Sequence, residues 1–171
     1  MHILFVCTGN ICRSPTAERL LQAAADGRFH ASSAGTRAVI GHPVHLEAAR
    51  VLAELGGDPA GFAARQLKPK IAADADLVLA MTRAHRDAVL EIAPRQLHRA
   101  FTLTESAHLI SQFEPGDVKA LAALRSRLRA DEVADVPDPI GQDPEVFDRV
   151  GIQIAGLLGP VVEFCRQVSG E

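Results

Sequence analysis

A cysteine and an arginine with five residues between them follow the first apolar segment of the chain, in the stretch VCTGNICRSP (Val6–Pro15). A turn from a strand into a helix can point successive backbone N–H groups at an anion, and the helix start adds the positive end of its dipole. The guanidinium of Arg13 could bind two oxygens of the same anion. We call residues Cys7–Arg13 the cysteine loop and predict that it binds a tetrahedral oxyanion such as phosphate.

The thiol of Cys7 is the candidate nucleophile of this loop. A positive environment stabilises a thiolate, and a thiolate that faces a bound phosphate can attack phosphorus. Gly9 would let the backbone approach the anion closely, and Asn10 tolerates the left-handed conformations that such a loop requires. The other common phosphate motif, G-x4-G-K-[ST], does not occur in the chain. A strand end with two structural thiols and a surface arginine is the alternative, which the C-x5-R-S spacing disfavours.

Length and composition bound the class of protein. The 171 residues fit one domain, residues 1–171, and 47% hydrophobic with 23% charged residues is typical of a globular protein. The net charge of −3 gives no general basic field, so we expect neither nucleic acid nor a membrane as partner. The first residues do not show the basic and apolar pattern of a secretory signal, so we expect none. The longest apolar tract, Ile152–Cys165, is too short to span a bilayer. Three cysteines without the spacing of a disulfide scaffold predict a reducing, cytoplasmic environment.

Apolar runs alternate with helical patterns along the chain, which predicts an α/β fold with a parallel sheet covered on both faces. The predicted strands are His2–Cys7, Phe29–Ser33, Asp76–Met81 and Ala100–Leu103. The predicted helices begin at Ser14-Pro15, cover His45–Leu55 and Arg83–Ile92, form two short segments within Glu105–Arg129, and end with a long helix from Phe147 to Val168. We expect Ser14 to cap the first helix and Pro160 to kink or interrupt the last. Ligands of such folds bind beyond the carboxyl ends of the strands, where the cysteine loop lies.

The cysteine loop and its surroundings resemble the low-molecular-weight protein tyrosine phosphatase family. The likeness starts with VCTGNICRSP and continues, in the family's order, through SSAGT after the second strand, ARQL at Ala64–Leu67, DLVLAMTRAH at Asp76–His85 and a PDP sequence near the last helix. The resemblance implies a flavodoxin-like, single-domain three-layer sandwich with a four-stranded parallel sheet. It also implies phosphomonoester hydrolysis by a protein-tyrosine-phosphatase, with neither metal nor cofactor.

The resemblance assigns roles to the residues of the loop by position. Cys7 is the nucleophile that forms a phosphocysteine intermediate, and Arg13 binds the phosphate together with the backbone amides. The residues that bind phosphate are Thr8, Gly9, Asn10, Ile11, Cys12 and Arg13. Three polar side chains hold the shape of the loop, and these belong to Asn10, Ser14 and Ser33.

A phosphate ester that is cleaved by a thiolate leaves an oxyanion that needs a proton, so a carboxylic acid is required. Five acids lie in the segment Asp131–Asp143, which we call the acidic loop. Asp138 matches the Asp-Pro dipeptide of the family, and Pro139 restricts the backbone of Asp138 so that the carboxylate is held in one pose. We therefore predict Asp138 as the general acid and base.

Several positions bear on the substrate and on regulation. Relatives line the substrate cleft with aromatic side chains, where this chain offers Val39 and Ile140, and it contains no tyrosine. Relatives that act on phosphoarginine carry threonine at the position of Ile11, so Ile11 favours phosphotyrosine. Cys12 matches a second loop cysteine that can form a reversible disulfide with the nucleophile. We expect His85, which matches the family, to be structural.

The expected partners are a phosphorylated protein, such as a tyrosine kinase, and phosphate-like oxyanions. Two other enzymes stay open: a phosphatase for a non-tyrosine substrate such as phosphoarginine, and an arsenate reductase. Reductases that are coupled to thioredoxin need two further cysteines in a middle segment, and Val51–Leu103 contains none. A phosphate-binding module without catalysis would lack Cys7 or Asp138, and both are present.

Overall fold

Four parallel strands form the centre of the protein, in the order β2-β1-β3-β4. The computed structural model describes residues 1–170. The strands are β1 (His2–Cys7), β2 (His30–Gly35), β3 (Leu77–Ala80) and β4 (Ala100–Thr102). Because β2 and β3 pair with opposite edges of β1, the direction of the connections reverses next to the carboxyl end of β1. Ligands of open α/β sheets bind at such a reversal.

Helices cover both faces of the sheet, as predicted for a three-layer fold. The helices are α1 (Arg13–Ala24), α2 (Leu46–Glu54), α3 (Pro69–Ala73), α4 (Arg83–Ile92), α5 (Leu103–Phe113), α6 (Val118–Ala123) and α7 (Pro144–Val168). Alternate residues of β1 divide between two apolar cores, since Ile3 and Phe5 pack with α1, α5 and α7 whereas Leu4 and Val6 pack with α3 and α4. This alternation follows from the period of two in a strand. Helix α2 packs against α7 in a third, smaller cluster.

One sequence prediction about a helix end is wrong, and of the two effects predicted for Pro160 one, the interruption of the last helix, is wrong. Ser14 does not cap α1, because the helix already begins at Arg13 and its cap position, Cys12, makes no side-chain cap hydrogen bond. The Ser14 hydroxyl instead contacts Cys7 and Asn10 in the cysteine loop. Pro160 does not interrupt α7, which runs without a break from Pro144 to Val168. Residues on both sides of it, among them Leu158 and Val161, are buried in the core, and this packing outweighs the backbone hydrogen bond that proline removes.

The other helix and strand boundaries lie closer to those predicted from the sequence. The second strand begins at His30 and extends to Gly35, two residues beyond its predicted end. Leu46 is the first residue of α2 and is 81% exposed. Helix α3 has no counterpart in the sequence prediction, and its five residues are too few to show a period. No helix within residues 1–170 is long and apolar enough to cross a membrane.

Candidate active site

The cysteine loop joins the last residue of β1, Cys7, to the first residue of α1, Arg13. Its carbonyl groups point outward, since those of Cys7, Thr8, Gly9 and Ile11 accept hydrogen bonds of 2.7–3.0 Å from backbone N–H groups of the segment that follows β2. The donors are Thr36, Arg37, Val39 and His45. Within the described part of the chain, the N–H groups of residues 9–12 donate to no protein acceptor. The loop therefore presents a set of free amide donors, which is the arrangement that binds an anion.

Asn10 lies in the left-handed region with a φ of 56°, as predicted for this loop. Its side chain is fully buried. The amide nitrogen donates to both Ser14 Oγ and Ser33 Oγ at 2.9 Å, and the amide oxygen accepts from the backbone N–H of Arg65 at 2.9 Å. Every hydrogen-bonding group of this side chain is thus used to fix the curvature of the loop.

The same network reaches the candidate nucleophile. Cys7 Sγ lies 2.9 Å from Ser14 Oγ, and Cys7 is only 3% exposed. An amide nitrogen can only donate, so the hydroxyl oxygen of Ser14 accepts from Asn10 and its proton is free to point at the sulfur. The three predicted loop-supporting residues are therefore brought together by the structure.

Glu18 closes this network and was missed from the sequence. It is 8% exposed on α1, and its Oε2 accepts a short hydrogen bond from Ser33 Oγ. Burial raises the pKa of Glu18, while the hydrogen bond from Ser33 and the nearby charge of Arg19 act in the opposite direction. A hydrogen-bond chain thus runs from Glu18 through Ser33, Asn10 and Ser14 to the sulfur of Cys7. A glutamate in an amphipathic helix gives no signal in the sequence that it faces inward.

Gly35 holds the opposite side of the loop. It pairs with Cys7 in the sheet, and a Cβ at this position would overlap the carbonyl oxygen of Thr8 and lie 3.0 Å from the backbone nitrogen of Asn10. Only glycine allows β2 and the loop to approach so closely. Gly9, for which the sequence suggests a need for close approach, would meet only ordinary contacts of 3.5 and 3.7 Å with side chains.

We expect Gly35→Ala to destabilise the protein by about 1–3 kcal/mol, because the backbone of the loop must move to admit the methyl group. The free energy of unfolding in urea measures this loss. Gly116→Ala is the matched control, since no atom lies within 4 Å of its Cβ position. Equal unfolding free energies for the two variants would show that the loop does not need this glycine.

Arg13 and Asp138 meet beside the loop although they lie 125 positions apart in the sequence. Arg13 is 4% exposed, and its Nη1 donates to the carbonyl of Val136 at 2.9 Å. Its Nη2 lies 3.5 Å from Asp138 Oδ2, and its buried Nε has no hydrogen-bond partner among residues 1–170. The guanidinium is therefore held by the acidic loop and keeps a donor for a ligand.

Asp138 differs from the other acids of its loop in its position. Its side chain is 51% exposed, with Oδ1 accepting from the N–H of Ile140 at 3.1 Å, so the carboxylate is oriented yet reachable by solvent. The acidic loop is fixed to the sheet because the N–H of Val136 donates to the carbonyl of Met81 at 2.9 Å. Asp131, Glu132 and Asp135 are engaged elsewhere, with Arg129, His108 and Arg83. Asp138 alone of these pairs with Arg13.

The two predicted cleft residues are both partly exposed. Val39 is 47% and Ile140 is 41% exposed; the N–H of Val39 donates to the loop carbonyl of Gly9, and Ile140 follows Asp138 by two positions. Ile40, which is 73% exposed, adds an apolar side chain next to Val39 that the sequence did not single out. The residues at these positions are aliphatic and bury less surface than an aromatic ring would.

All three cysteines are free thiols. Burial, and next the adjacent Cys7, raise the pKa of Cys12 to about 12. Burial raises the pKa of Cys165 to about 12 as well. Neither thiol is therefore a thiolate near neutral pH. In the part of the chain that the structure describes, no group of three or more His, Cys, Asp or Glu side chains is arranged to hold a metal ion.

The fold and the loop together define a class: a flavodoxin-like α/β protein with a C-x5-R oxyanion loop at the carboxyl end of its first strand. The profile of the family "Low molecular weight phosphotyrosine protein phosphatase" matches residues 2–163. The chain belongs to this family, and the predicted resemblance is confirmed.

Named relatives and solved structures agree with this assignment. The chain is 46% identical over 92 residues to the low molecular weight protein-tyrosine-phosphatase Etp of Escherichia coli K12, a match that covers 54% of this chain and 62% of Etp. It is 41% identical over 148 residues to a putative low molecular weight protein-tyrosine-phosphatase of Klebsiella pneumoniae, covering 86% of this chain and 85% of that protein.

The crystal structure of the low molecular weight protein tyrosine phosphatase from T. tengcongensis superposes with a TM-score of 0.77 at 32% identity, over 95% of this chain and 98% of that one. The YwlE arginine phosphatase from Geobacillus stearothermophilus gives a TM-score of 0.76 at 31% identity, over 95% and 90% of the two chains. The predicted fold class is thereby confirmed.

Proposed function

We propose that this protein is a cysteine-dependent phosphomonoesterase that hydrolyses phosphotyrosine in proteins. One observation carries the proposal: Cys7 Sγ lies 2.9 Å from Ser14 Oγ within a loop of free amides, with Arg13 and Asp138 paired at its edge. Nucleophile, anion-binding donors and acid thus come together on three different elements. The names of the bacterial relatives, which are protein-tyrosine-phosphatases, support phosphotyrosine as the substrate.

The proposed reaction has two steps. In the first, the thiolate of Cys7 attacks phosphorus, the bond from phosphorus to the ester oxygen breaks, and Asp138 gives its proton to the leaving oxygen. In the second, the Asp138 carboxylate takes a proton from water, the water oxygen attacks phosphorus, and the S–P bond breaks. Inorganic phosphate and the Cys7 thiolate result. In both steps Arg13 and the loop amides bind the other phosphoryl oxygens, whose charge grows in the transition state.

A phosphorylated protein, such as an autophosphorylated tyrosine kinase, is the partner that this function requires. Val39, Ile40 and Ile140 would contact the substrate residue next to its phosphate. The nucleophile has to stay reduced, so we also propose that the protein works in a reducing compartment, the cytoplasm.

Phosphoarginine is the second candidate substrate, and one observation favours it. Two YwlE arginine phosphatases superpose on this chain with a TM-score of 0.76, about as well as the tyrosine phosphatases do. Ile11 in the cysteine loop is the residue that argues for phosphotyrosine instead.

A substrate panel tests the proposal directly. Peptides with phosphotyrosine, phosphoserine or phosphoarginine, and arsenate with a thiol reductant, are assayed with the wild type and with Cys7→Ser. We expect release of phosphate from phosphotyrosine by the wild type alone. Faster release from phosphoarginine would reassign the substrate, and reduction of arsenate without phosphate release would overturn the function.

For Cys12 we propose protection of the nucleophile. When peroxide oxidises Cys7 to a sulfenic acid, attack by the Cys12 sulfur forms a disulfide and releases water. We expect activity that is lost in peroxide to return with a thiol reductant in the wild type, and to stay lost in Cys12→Ser. Irreversible loss in the wild type would contradict this role.

A further inference from the structure

A buried histidine outside the proposed catalytic set contacts the cysteine loop. His85 lies in the first turn of α4, where Thr82 caps the helix by accepting the N–H of His85 at 3.1 Å. This cap fixes the start of the helix, and the ring of His85, which is 7% exposed, places its Nε2 at 2.8 Å from Thr8 Oγ1. The contact joins residues 77 positions apart. The expectation that His85 is structural therefore omits its contact with the cysteine loop.

Thr8 is the residue directly after the candidate nucleophile, and both of its peptide planes belong to the cysteine loop. The carbonyls of these planes, on Cys7 and Thr8, accept from the N–H groups of Thr36 and Arg37 at 2.9 and 3.0 Å. Those bonds hold Thr8 from the side of β2. The hydrogen bond from His85 holds the side chain of Thr8 from α4, so the residue is fixed from both sides of the sheet edge.

The charge state of His85 follows from its surroundings. Burial, and next the positive charge of Arg13, lower the pKa of His85 to about 4, against the smaller effects of Asp135 and Asp138. The ring is therefore neutral near pH 7 and carries one N–H proton. Nδ1 is buried and has no hydrogen-bond partner in the part of the chain that the structure describes. A proton on Nδ1 would be a buried donor without an acceptor, which is costly, whereas a proton on Nε2 is donated to Thr8 Oγ1.

We propose that His85 is a positioning residue of the active site: its neutral imidazole donates from Nε2 to Thr8 and thereby fixes the first amides of the cysteine loop for phosphate. The proposal rests on the proposed function of the loop as a phosphate site. A loop whose first residue can rotate must be ordered when phosphate binds, and this ordering weakens both phosphate binding and transition-state binding.

Four variants separate this role from simple support of the fold. His85→Ala removes the donor, Thr8→Val removes the acceptor with little change of shape, the double variant removes both, and His85→Gln keeps a side-chain N–H donor. His98→Ala, at an exposed position in the turn before β4, is the matched control. The readouts are kcat/KM on an aryl phosphate, the inhibition constant of inorganic phosphate, and Tm.

We expect His85→Ala and Thr8→Val each to lower kcat/KM and to weaken phosphate inhibition by about tenfold, the range of one lost hydrogen bond. The double variant should lose no more than either single variant, and His85→Gln should recover most of the loss. His98→Ala should match the wild type. Losses that multiply in the double variant, or wild-type phosphate inhibition in His85→Ala, would overturn the proposal.

A spectroscopic arm does not depend on catalysis. Long-range ¹H–¹⁵N correlation of the imidazoles should show the His85 proton on Nε2 in the wild type, and a mixture of tautomers in Thr8→Val. A proton on Nδ1 in the wild type would overturn the inference. If the wild type shows the Nε2 proton but hydrolyses no phosphate ester, the proposed function fails while the hydrogen bond stands.

Discussion

Cys7→Ser should abolish turnover, with a loss in kcat on the order of 10⁴–10⁶-fold for an aryl phosphate. A serine hydroxyl in this position is a far weaker nucleophile than a thiolate, and the loop has no base placed to deprotonate it. The free amides and Arg13 are unchanged by the substitution. We therefore expect phosphate and vanadate to bind Cys7→Ser with affinities close to those of the wild type, measured by calorimetry.

Cys12→Ser is the matched control because it makes the same chemical change in the same loop. Its thiol is not the proposed nucleophile, and its raised pKa keeps it protonated. We expect kcat within a few-fold of the wild type under reducing conditions. Normal turnover by Cys7→Ser together with loss of turnover in Cys12→Ser would show that Cys12, and not Cys7, is the nucleophile.

Asp138→Asn should slow hydrolysis by about 10²–10⁴-fold, and most for esters with poor leaving groups. An amide can still accept the N–H of Ile140 but cannot give a proton to the leaving oxygen. Phenolates that are stable as anions, such as p-nitrophenolate, leave without this proton, whereas phenolate and tyrosinate depend on it more. The slope of log kcat/KM against the pKa of the leaving phenol should therefore become steeper in the variant.

Asp131→Asn tests whether the effect belongs to the position or to the charge of the acidic loop. Asp131 lies on the same loop with its side chain 71% exposed, paired with Arg129 at 3.3 Å. Rates and slope should equal those of the wild type. An equal loss in both variants would show that Asp138 acts only through the net charge of the loop, and no loss in Asp138→Asn would exclude it as the acid.

The sequence predicts the parts of the site that are local in the chain. The cysteine loop, its left-handed Asn10 and the strand before it are contained in a few residues whose backbone preferences suffice. Asp138 is reached by its likeness to the family's Asp-Pro dipeptide, and its neighbours in sequence include four other acids. The structure singles it out because Val136 fixes the loop to β3 and to Arg13.

The residues whose contacts with the cysteine loop the sequence did not predict act over long separations. Gly35, Glu18 and His85 meet the loop only after β2, α1 and α4 have packed around β1, and none of them has a local pattern that differs from an ordinary strand or helix residue. For Ser14 the error has the opposite cause. The local preference of serine for helix caps predicts that it caps the first helix, and it does not. In the folded protein the hydroxyl oxygen of Ser14 lies 2.9 Å from the sulfur of Cys7 instead.

The central claim is that the sulfur of Cys7 forms a covalent bond to phosphorus during turnover. Rapid acid quenching of the wild type with p-nitrophenyl phosphate, followed by peptide mass spectrometry, tests it most directly. We predict a phosphoryl group on the peptide that contains Cys7, attached to its sulfur, and none on the peptide that contains Cys165. Turnover with no phosphorylated cysteine at any quench time, or with the phosphoryl group on another side chain, would contradict the account.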